Sequence, residues 1–176
     1  MRRVRRRSRL ILVLGGAASG KSRVALDLAG RARRRAFVAT GQAHDGEMKR
    51  RIARHRAARP GDWITAEVPV NIADWFNVKG QQYQVIIIDC LTLWLSNLGV
   101  RVSEETILGK ITELLRSIRR GTARVVIVSN ELGMGLVPVG RFVRRFRDLA
   151  GKVNQHVAAE ADEVYFVISG QALRLK

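Results

Sequence analysis

The sequence predicts an α/β fold, a three-layer sandwich with a mostly parallel central sheet between helices, and three observations lead to it. The first is a set of short, nearly continuous apolar runs rich in β-branched residues, at 10–14, 36–40, 85–89, 124–129 and 163–168. Strands that are buried on both faces of a parallel sheet have this pattern. The second is a set of helical patterns between and after these runs, at 22–33, 45–58, 103–120 and 141–161. Such alternation is typical of α/β proteins, whose ligands bind beyond the carboxyl ends of the strands.

The third observation is the stretch that joins the first predicted strand to the first predicted helix. It matches G-x-x-x-x-G-K-S and consists of Gly15, Gly16, Ala17, Ala18, Ser19, Gly20, Lys21 and Ser22. We call these eight residues the phosphate loop, because backbone N–H groups of such a loop and the following helix terminus attract phosphate. Lys21 would reach the outer phosphates, and the Ser22 hydroxyl would hold Mg²⁺. The sequence therefore predicts a P-loop NTPase fold of the RecA-like kind.

Length and composition predict one folded domain over residues 10–176, preceded by a disordered basic arm at residues 1–9. The chain of 176 residues shows no internal repeat, low-complexity tract or linker, and its apolar content of 47% excludes general disorder. No apolar run approaches the roughly 20 residues that cross a bilayer. The arginine-rich start lacks a signal-peptide cleavage site, and the single cysteine, Cys90, excludes an internal disulfide. We therefore expect a cytoplasmic protein without a membrane span.

The net charge of +17, from 32 basic and 15 acidic residues, has two interpretations. A nucleic acid or another anionic surface is one possible partner. The other interpretation is the solvated surface of an arginine-rich protein. The arginines are scattered over several segments, and no aromatic residues run among them to stack on bases. We favour the second interpretation and expect no nucleic-acid partner.

Asp89 ends a buried apolar run, and P-loop enzymes place a Mg²⁺-associated carboxylate at the end of such a strand. We expect its strand to lie next to the first strand, so that Asp89 reaches the phosphate loop. A turn or a helix cap is the alternative for this residue. The neighbouring Cys90 is interpreted as a small buried hydrophobic residue, because no base is visible beside it to activate a thiol.

The helical pattern at 45–58 begins at Asp45, a plausible N-cap. It carries Arg51, His55 and Arg59 at four-residue spacing, which places them on one exposed stripe. Positive neighbours favour the neutral imidazole, and a neutral imidazole can attack phosphorus. Spacing alone nevertheless favours a surface histidine on a basic helix.

Residues 129–138, SNELGMGLVP, follow another predicted strand and combine two glycines, polar residues and a proline. This composition predicts a rigid active-site loop. The helix after it carries Arg141, Arg144, Arg145 and Arg147. These arginines either meet phosphates, including those at another subunit, or form a solvated helix face. Residues 77–84 are predicted to be a polar surface loop.

Together these pieces resemble the bifunctional adenosylcobinamide kinase / adenosylcobinamide-phosphate guanylyltransferase family. The likeness is carried by GGAASGKS, ATGQAHDGEM, RIARHRAARPGDW, IIIDCLTLWLSN, SNELGMGLVP and FRDLAGKVNQHVAAEADEVYFVISG. They occur in the family's order and cover nearly the whole chain from residue 10. The phosphate-loop motif alone is generic, whereas RIxxHRxxRP combined with SNELGMGLVP is specific. The resemblance therefore favours a nucleophilic His55 over a surface histidine.

The resemblance implies two reactions in the assembly of the nucleotide loop of cobalamin. First, the γ-phosphoryl group of ATP or GTP passes to the hydroxyl of adenosylcobinamide's aminopropanol arm. Second, a histidine attacks the α-phosphorus of GTP, which gives a guanylylated enzyme and pyrophosphate. Adenosylcobinamide phosphate then takes the GMP and becomes adenosylcobinamide-GDP. The resemblance also implies Mg²⁺ and a homotrimer.

Site residues carried over from the family's motifs follow the same order along the chain. His55 falls on the nucleophile position, Lys21 is the second catalytic residue, and the phosphate loop holds the triphosphate. The further nucleotide positions are Ala39, Thr40, Gly41, Arg56, Ala57, Ala58, Arg59, Glu67 and Asp89. Ser22 and Asp89 would hold the metal. Ala18 stands where the family commonly has arginine, which leaves the relative use of ATP and GTP open. A proline is common where Ala172 stands, and the basic arm has no family counterpart.

Two alternatives remain from the residues themselves. One is a P-loop small-molecule kinase without the guanylyl step, and the other is a nucleic-acid-dependent ATPase. The charge of the chain is the sole support for the second.

Overall fold

The computed structural model describes residues 7–43, 45–57, 61–99 and 102–176. The strands are β1 (Arg9–Gly15), β2 (Arg35–Ala39), β3 (Ile64–Glu67), β4 (Val85–Asp89), β5 (Arg124–Asn130), β6 (Glu163–Ile168) and β7 (Gln171–Arg174). The helices are α1 (Lys21–Ala29), α2 (Gly46–Ala57), α3 (Ile72–Lys79), α4 (Leu91–Leu98), α5 (Glu104–Arg120) and α6 (Arg141–Glu160). A short 3₁₀ turn at Gly80–Gln82 follows α3.

The strands form one seven-stranded sheet in the order β3-β2-β4-β5-β1-β6-β7. Neighbouring strands are parallel except for the antiparallel pair β6 and β7. The predicted, mostly parallel sheet is therefore confirmed. The expectation that Asp89's strand lies next to the first strand is wrong, because β5 pairs with both β1 and β4. All three strands are apolar on both faces, so their sequence patterns carry no information about their order.

The core lies on both faces of the sheet, which confirms the three layers. Along β1, Leu10, Leu12 and Leu14 pack with buried residues of α3, α4, α5 and α6. Ile11 and Val13 point the other way and pack with α1. Each fully buried aliphatic side chain of this kind contributes about 1.5–3 kcal/mol of transfer free energy. The alternation along β1 thus fixes the helix layers above and below the phosphate loop.

Four elements were not predicted from the sequence: β3, β7, α3 and α4. The apolar run of α4 is too short for its period to distinguish a helix from a strand. The predicted polar loop at 77–84 is partly wrong, because α3 extends to Lys79 and the 3₁₀ turn follows, with Gly80 buried. The helix predicted at 22–33 ends early because Gly30, at φ 67°, closes α1 by donating its N–H to Leu26 and Asp27.

The predicted boundary of the basic arm is also corrected. Arg9 is the first residue of β1, and Ser8 is buried, with its carbonyl accepting a hydrogen bond from Arg119 at 3.1 Å. Residues 1–6 of the predicted arm lie outside the described residues. Every described helix is too short or too polar to cross a lipid bilayer.

Candidate functional site

A cleft of about 660 Å³ opens at the carboxyl ends of the parallel strands, between the phosphate loop and α2. Of the predicted site residues, it is lined by 17–22, Ala39, Gly41, His55 and Asp89. These residues come from three strand ends and two helices, and only the folded sheet brings them to one edge. The location agrees with the rule that α/β proteins bind ligands beyond their strands' carboxyl ends.

The backbone of the phosphate loop requires glycine at two points. A Cβ on Gly15 would lie 2.5 Å from the carbonyl oxygen of Val167, and Gly20 adopts φ 96°. The turn after β6 supports the loop from behind, since Gly170 donates its N–H to the Ser19 carbonyl at 2.8 Å. Strand β6 and its turn are therefore structural parts of the phosphate loop's cradle.

Lys21 and Ser22 start α1 and face the cleft. The Lys21 ammonium donates a hydrogen bond to the Gly16 carbonyl across the loop, and its side chain is buried. Gly15 and Gly16 do not line the cleft themselves. A buried ammonium next to a helix N-terminus attracts anions strongly, because little water screens it. The loop thus concentrates positive potential at the bottom of the cleft.

Thr40 has a different position from the one expected of a nucleotide contact. It is fully buried, and its hydroxyl accepts from the Cys90 N–H and donates to the Cys90 carbonyl, each at 2.8 Å. Its N–H donates to the Asp89 carbonyl at 3.1 Å, and its carbonyl accepts from Asn97 at 2.6 Å. Thr40 therefore ties the end of β2 to the junction of β4 and α4, behind the wall of the cleft.

Cys90 contributes a buried side chain next to Asp89. Burial raises the pKa of this thiol from an ordinary value of 9.0 to about 11, and the neighbouring Asp89 carboxylate adds to the rise. A thiol with this pKa is almost wholly protonated at neutral pH and is a poor nucleophile. This agrees with the interpretation of Cys90 as a small buried hydrophobic residue.

Helix α2 forms the outer wall of the cleft. The Asp45 carboxylate accepts the N–H of Met48 at 2.7 Å, which makes Asp45 the N-cap, as predicted. Met48, Ile52 and His55 share one helix face and line the cleft. The imidazole of His55 is solvent-exposed at the mouth. It lines the same cleft as Lys21 and Asp89.

Arg56 and Glu67 are brought together at the rim. Their charged groups lie 3.8 Å apart, and their side chains are 66% and 74% exposed. Glu67 reaches this point because β3 pairs with β2 and sets Glu67 opposite Ala39. An exposed pair of this kind contributes about 0–1 kcal/mol to stability. Neither residue lines the cleft, and neither does the exposed Ala57. Ala58 and Arg59 lie outside the described residues.

A divalent cation fits one part of the cleft. Ser22 and Asp89 both line it, and hydroxyl and carboxylate oxygens are ligands that Mg²⁺ accepts. The described part of the chain holds no group of three or more histidine, cysteine or acidic residues that could bind a metal. Mg²⁺ typically keeps several waters and is held by one or two carboxylates plus substrate phosphates. The residues present therefore suit a metal that arrives with a nucleotide.

The structure adds lining residues that the sequence reasoning did not name as site residues, among them Arg23, Met48, Ile52, Leu93 and Asn130. The available signal for Asn130 was its position in the predicted active-site loop at 129–138, directly after a buried strand. The four arginines of α6 do not line the cleft. Arg144 donates to the carbonyls of Pro138 and Val139, and Arg147 pairs with Asp148 at 3.3 Å.

A parallel sheet whose first strand leads through a glycine-rich loop to Lys21 and Ser22, with Asp89 at another strand end, defines a P-loop nucleotide-binding protein. The sequence model of the cobinamide kinase / cobinamide phosphate guanyltransferase family matches residues 11–175. The chain belongs to this family.

Named relatives agree with that membership. The bifunctional adenosylcobalamin biosynthesis protein CobP of Pseudomonas aeruginosa is 42% identical over 166 residues, which cover 94% of this chain and 96% of that protein. The bifunctional adenosylcobalamin biosynthesis protein CobU of Escherichia coli is 38% identical over 180 residues, with coverage of 95% and 99%. The predicted family is confirmed. The protein is a bifunctional kinase and guanyltransferase, so the alternative of a kinase without the guanylyl step is wrong.

Solved structures show the fold. The flagellar accessory protein FlaH of Methanocaldococcus jannaschii aligns with TM-score 0.56 and 16% identity, over 96% of this chain and 78% of that one. The RadB recombinase aligns with TM-score 0.50 and 18% identity, over 89% and 73%. At these identities the likeness concerns architecture alone. The predicted RecA-like P-loop NTPase fold is confirmed.

Proposed function

We propose that this one cleft serves both transfers of the family and that His55 is the nucleophile of the second. The observation that carries the proposal is that His55 lines the same cleft as Lys21, Ser22 and Asp89. One nucleotide-binding site then serves both reactions. The γ-phosphorus reacts on the phosphate loop in the first, and the α-phosphorus reacts within reach of α2 in the second.

In the kinase reaction the phosphates of ATP or GTP lie on the phosphate loop, with Lys21 on the outer ones. The hydroxyl oxygen of adenosylcobinamide forms a bond to the γ-phosphorus, and the bond from that phosphorus to the bridging oxygen breaks. The nucleoside diphosphate leaves with the electron pair, and the hydroxyl proton goes to solvent. Ser22 and Asp89 would hold Mg²⁺, which would supply positive charge to neutralise the phosphates.

In the guanylyl reaction the neutral imidazole of His55 attacks the α-phosphorus of GTP. A P–N bond forms, the bond to the bridging oxygen breaks, and pyrophosphate leaves. A phosphate oxygen of adenosylcobinamide phosphate then attacks the same phosphorus, breaks the P–N bond and gives adenosylcobinamide-GDP. Covalent catalysis divides a hard transfer into two displacements. Ala39, Thr40, Gly41, the segment 56–59 and Glu67 complete the guanylyl site in this proposal, with Thr40 supporting its neighbours Ala39 and Gly41 from behind the wall of the cleft.

The assembly that we propose is a homotrimer, and one surface supports an assembly. We call residues 134–143 the apolar segment, because Leu136 is 97% exposed, Val139 96% and Met134 77%. Contiguous exposed apolar patches mark interaction surfaces, because covering them with another apolar surface is favourable.

We further propose that residues 10–176 act as one domain and that the enzyme works in the cytoplasm, where its substrates ATP and GTP are present.

Labelling with α-labelled GTP and Mg²⁺ tests the proposal. The wild type is expected to acquire an acid-labile, base-stable label, as a phosphohistidine bond predicts. His55→Ala abolishes the label and spares the kinase reaction, whereas Lys21→Ala damages both. His156→Ala is the matched control, because His156 contacts Thr112 at 3.1 Å away from the cleft. A folded wild type that takes up no label contradicts the proposal.

A further inference from the structure

We propose that the carboxamide of Asn130 donates a hydrogen bond to the terminal phosphoryl group during the kinase reaction. This contact makes Asn130 a catalytic residue alongside Lys21. The assignment rests on the proposed position of the triphosphate on the phosphate loop.

The sheet order gives Asn130 its place. Strand β5 lies between β1 and β4, and Asn130 is its last residue, in register with Gly15 of the phosphate loop. On the other side of β5, Asp89 is in register with Val128. Asn130 therefore stands between the strand that leads to Lys21 and the strand that ends in Asp89. The side chains of Lys21, Asp89 and Asn130 line the same cleft.

The backbone of Asn130 is held by two helices that pack on the same face of the sheet, α4 and α6. Its N–H donates to the hydroxyl of Thr92 on α4 at 2.9 Å, and its carbonyl accepts from Asn154 on α6 at 3.1 Å. Both partner side chains are buried. The next residue, Glu131, donates its N–H to the Gly15 carbonyl at 3.0 Å. This residue position is thus anchored to the phosphate loop as well.

The side-chain carboxamide of Asn130, unlike its backbone, has no hydrogen-bond partner among the described residues. Asn130 is nevertheless half-buried. Two buried side chains therefore fix the backbone of a residue whose polar end is left for a ligand. Prearranged donors of this kind need no reorganisation at the moment of reaction, which is the source of their effect.

The chemistry of a carboxamide suits the γ-phosphoryl group. An asparagine N–H donates but does not titrate, so Asn130 cannot take the hydroxyl proton. During the transfer, charge spreads over the three nonbridging oxygens of the γ-phosphoryl group. A donor between Lys21 and Asp89 meets one of those oxygens while the new P–O bond forms and the bond to the diphosphate breaks.

Comparison of diphosphate and triphosphate binding separates this contact from a structural role. For Asn130→Ala we expect the kinase kcat to fall about 10²–10³-fold, the effect of losing one prearranged donor. ADP affinity stays within about twofold, while affinity for a nonhydrolysable ATP analogue falls about tenfold, as loss of a charge-assisted hydrogen bond predicts. Asn130→Asp keeps the shape, adds a negative charge, and weakens binding of the analogue further.

Asn77→Ala is the matched control, because Asn77 is an exposed asparagine on α3 that does not line the cleft. Kinase activity at the wild-type level in Asn130→Ala overturns the proposal, and so does an equal loss of ADP and analogue affinity in both Asn130 variants. If Lys21→Ala binds both nucleotides normally, the placement of the triphosphate fails instead. Thermal melting of each variant establishes that it is folded, and Asn130→Asp carries the test if the alanine variant is not.

Discussion

Thr40 holds Cys90 through both hydrogen-bonding functions of one hydroxyl, which accepts from the Cys90 N–H and donates to the Cys90 carbonyl, each at 2.8 Å. This pair connects β2 to the residue directly after Asp89. Because all these groups are buried, removal of the hydroxyl leaves an N–H and a carbonyl without partners. Thr40 thereby contributes to the position of the Asp89 side chain.

Thr40→Val removes this hydroxyl without changing the shape of the side chain. We expect a loss of about 1–3 kcal/mol in the free energy of unfolding, the cost of unpaired buried polar groups. Because Asp89 is displaced, a higher Mg²⁺ concentration is needed for half-maximal kinase activity. Urea unfolding and a Mg²⁺ titration measure the two effects. Thr40→Ser retains the hydroxyl and is expected to restore the Mg²⁺ dependence; failure of that rescue contradicts the positioning role.

Gly15→Ala places a methyl group where the Val167 carbonyl oxygen would lie 2.5 Å away. We expect a destabilisation of about 1–3 kcal/mol from overpacking, together with weaker nucleotide binding. Gly16→Ala is the control for stability, since a Cβ there meets nothing within 4 Å. Thermal unfolding of the two variants side by side measures the difference. Equal melting temperatures would contradict this prediction, because they would mean that the backbone at Val167 shifts to accommodate the methyl group without cost.

The raised pKa of Cys90 predicts that the folded protein loses stability at alkaline pH. Its pKa in the folded protein is about 11 against 9.0 for the ordinary thiol, so the unfolded chain releases this proton first. Stability therefore decreases as pH rises from 9 to 11, by about 3 kcal/mol in total for a shift of this size. Below pH 9 the thiol contributes no pH dependence. The measurement is urea unfolding across this range.

The matched variant for that experiment is Cys90→Ala, which lacks the thiol and is expected to show a shallower decline between pH 9 and 11. Subtraction of the two curves isolates Cys90 from tyrosine and lysine titration. Parallel curves for the two proteins would contradict the raised pKa. In the same pH range, thiol reagents are expected to modify the folded wild type far more slowly than the unfolded chain.

The apolar segment predicts the effect of a charge on assembly. Val139→Asp introduces a carboxylate at a side chain that is 96% exposed in the isolated chain. If the segment is covered in the trimer, burial of that charge is unfavourable and the protein dissociates. Light scattering coupled to size exclusion measures the mass. Leu173→Asp, at an exposed apolar residue of β7 outside the segment, is expected to leave the mass unchanged. If the Val139→Asp protein is still a trimer, the apolar segment is not part of the interface.

Much of the site could be predicted from the sequence because its key parts are local. The phosphate loop is a run of consecutive residues whose glycines set the backbone, so Lys21 and Ser22 follow from the motif itself. His55 could not be distinguished from a surface histidine by spacing. It was identified through the family's motif, and its position in the same cleft as Lys21 agrees with that identification.

The sequence by itself determined the fold class, the glycine-rich loop and the family, because short-range patterns and motifs encode them. The tertiary structure alone decided which strand lies next to which. It placed β5 between β1 and β4, set Asn130 beside Asp89's strand, and turned Thr40 into the core. The physical reason is that strands buried on both faces look alike along the chain. Their order depends on packing and hydrogen bonds between residues far apart in sequence.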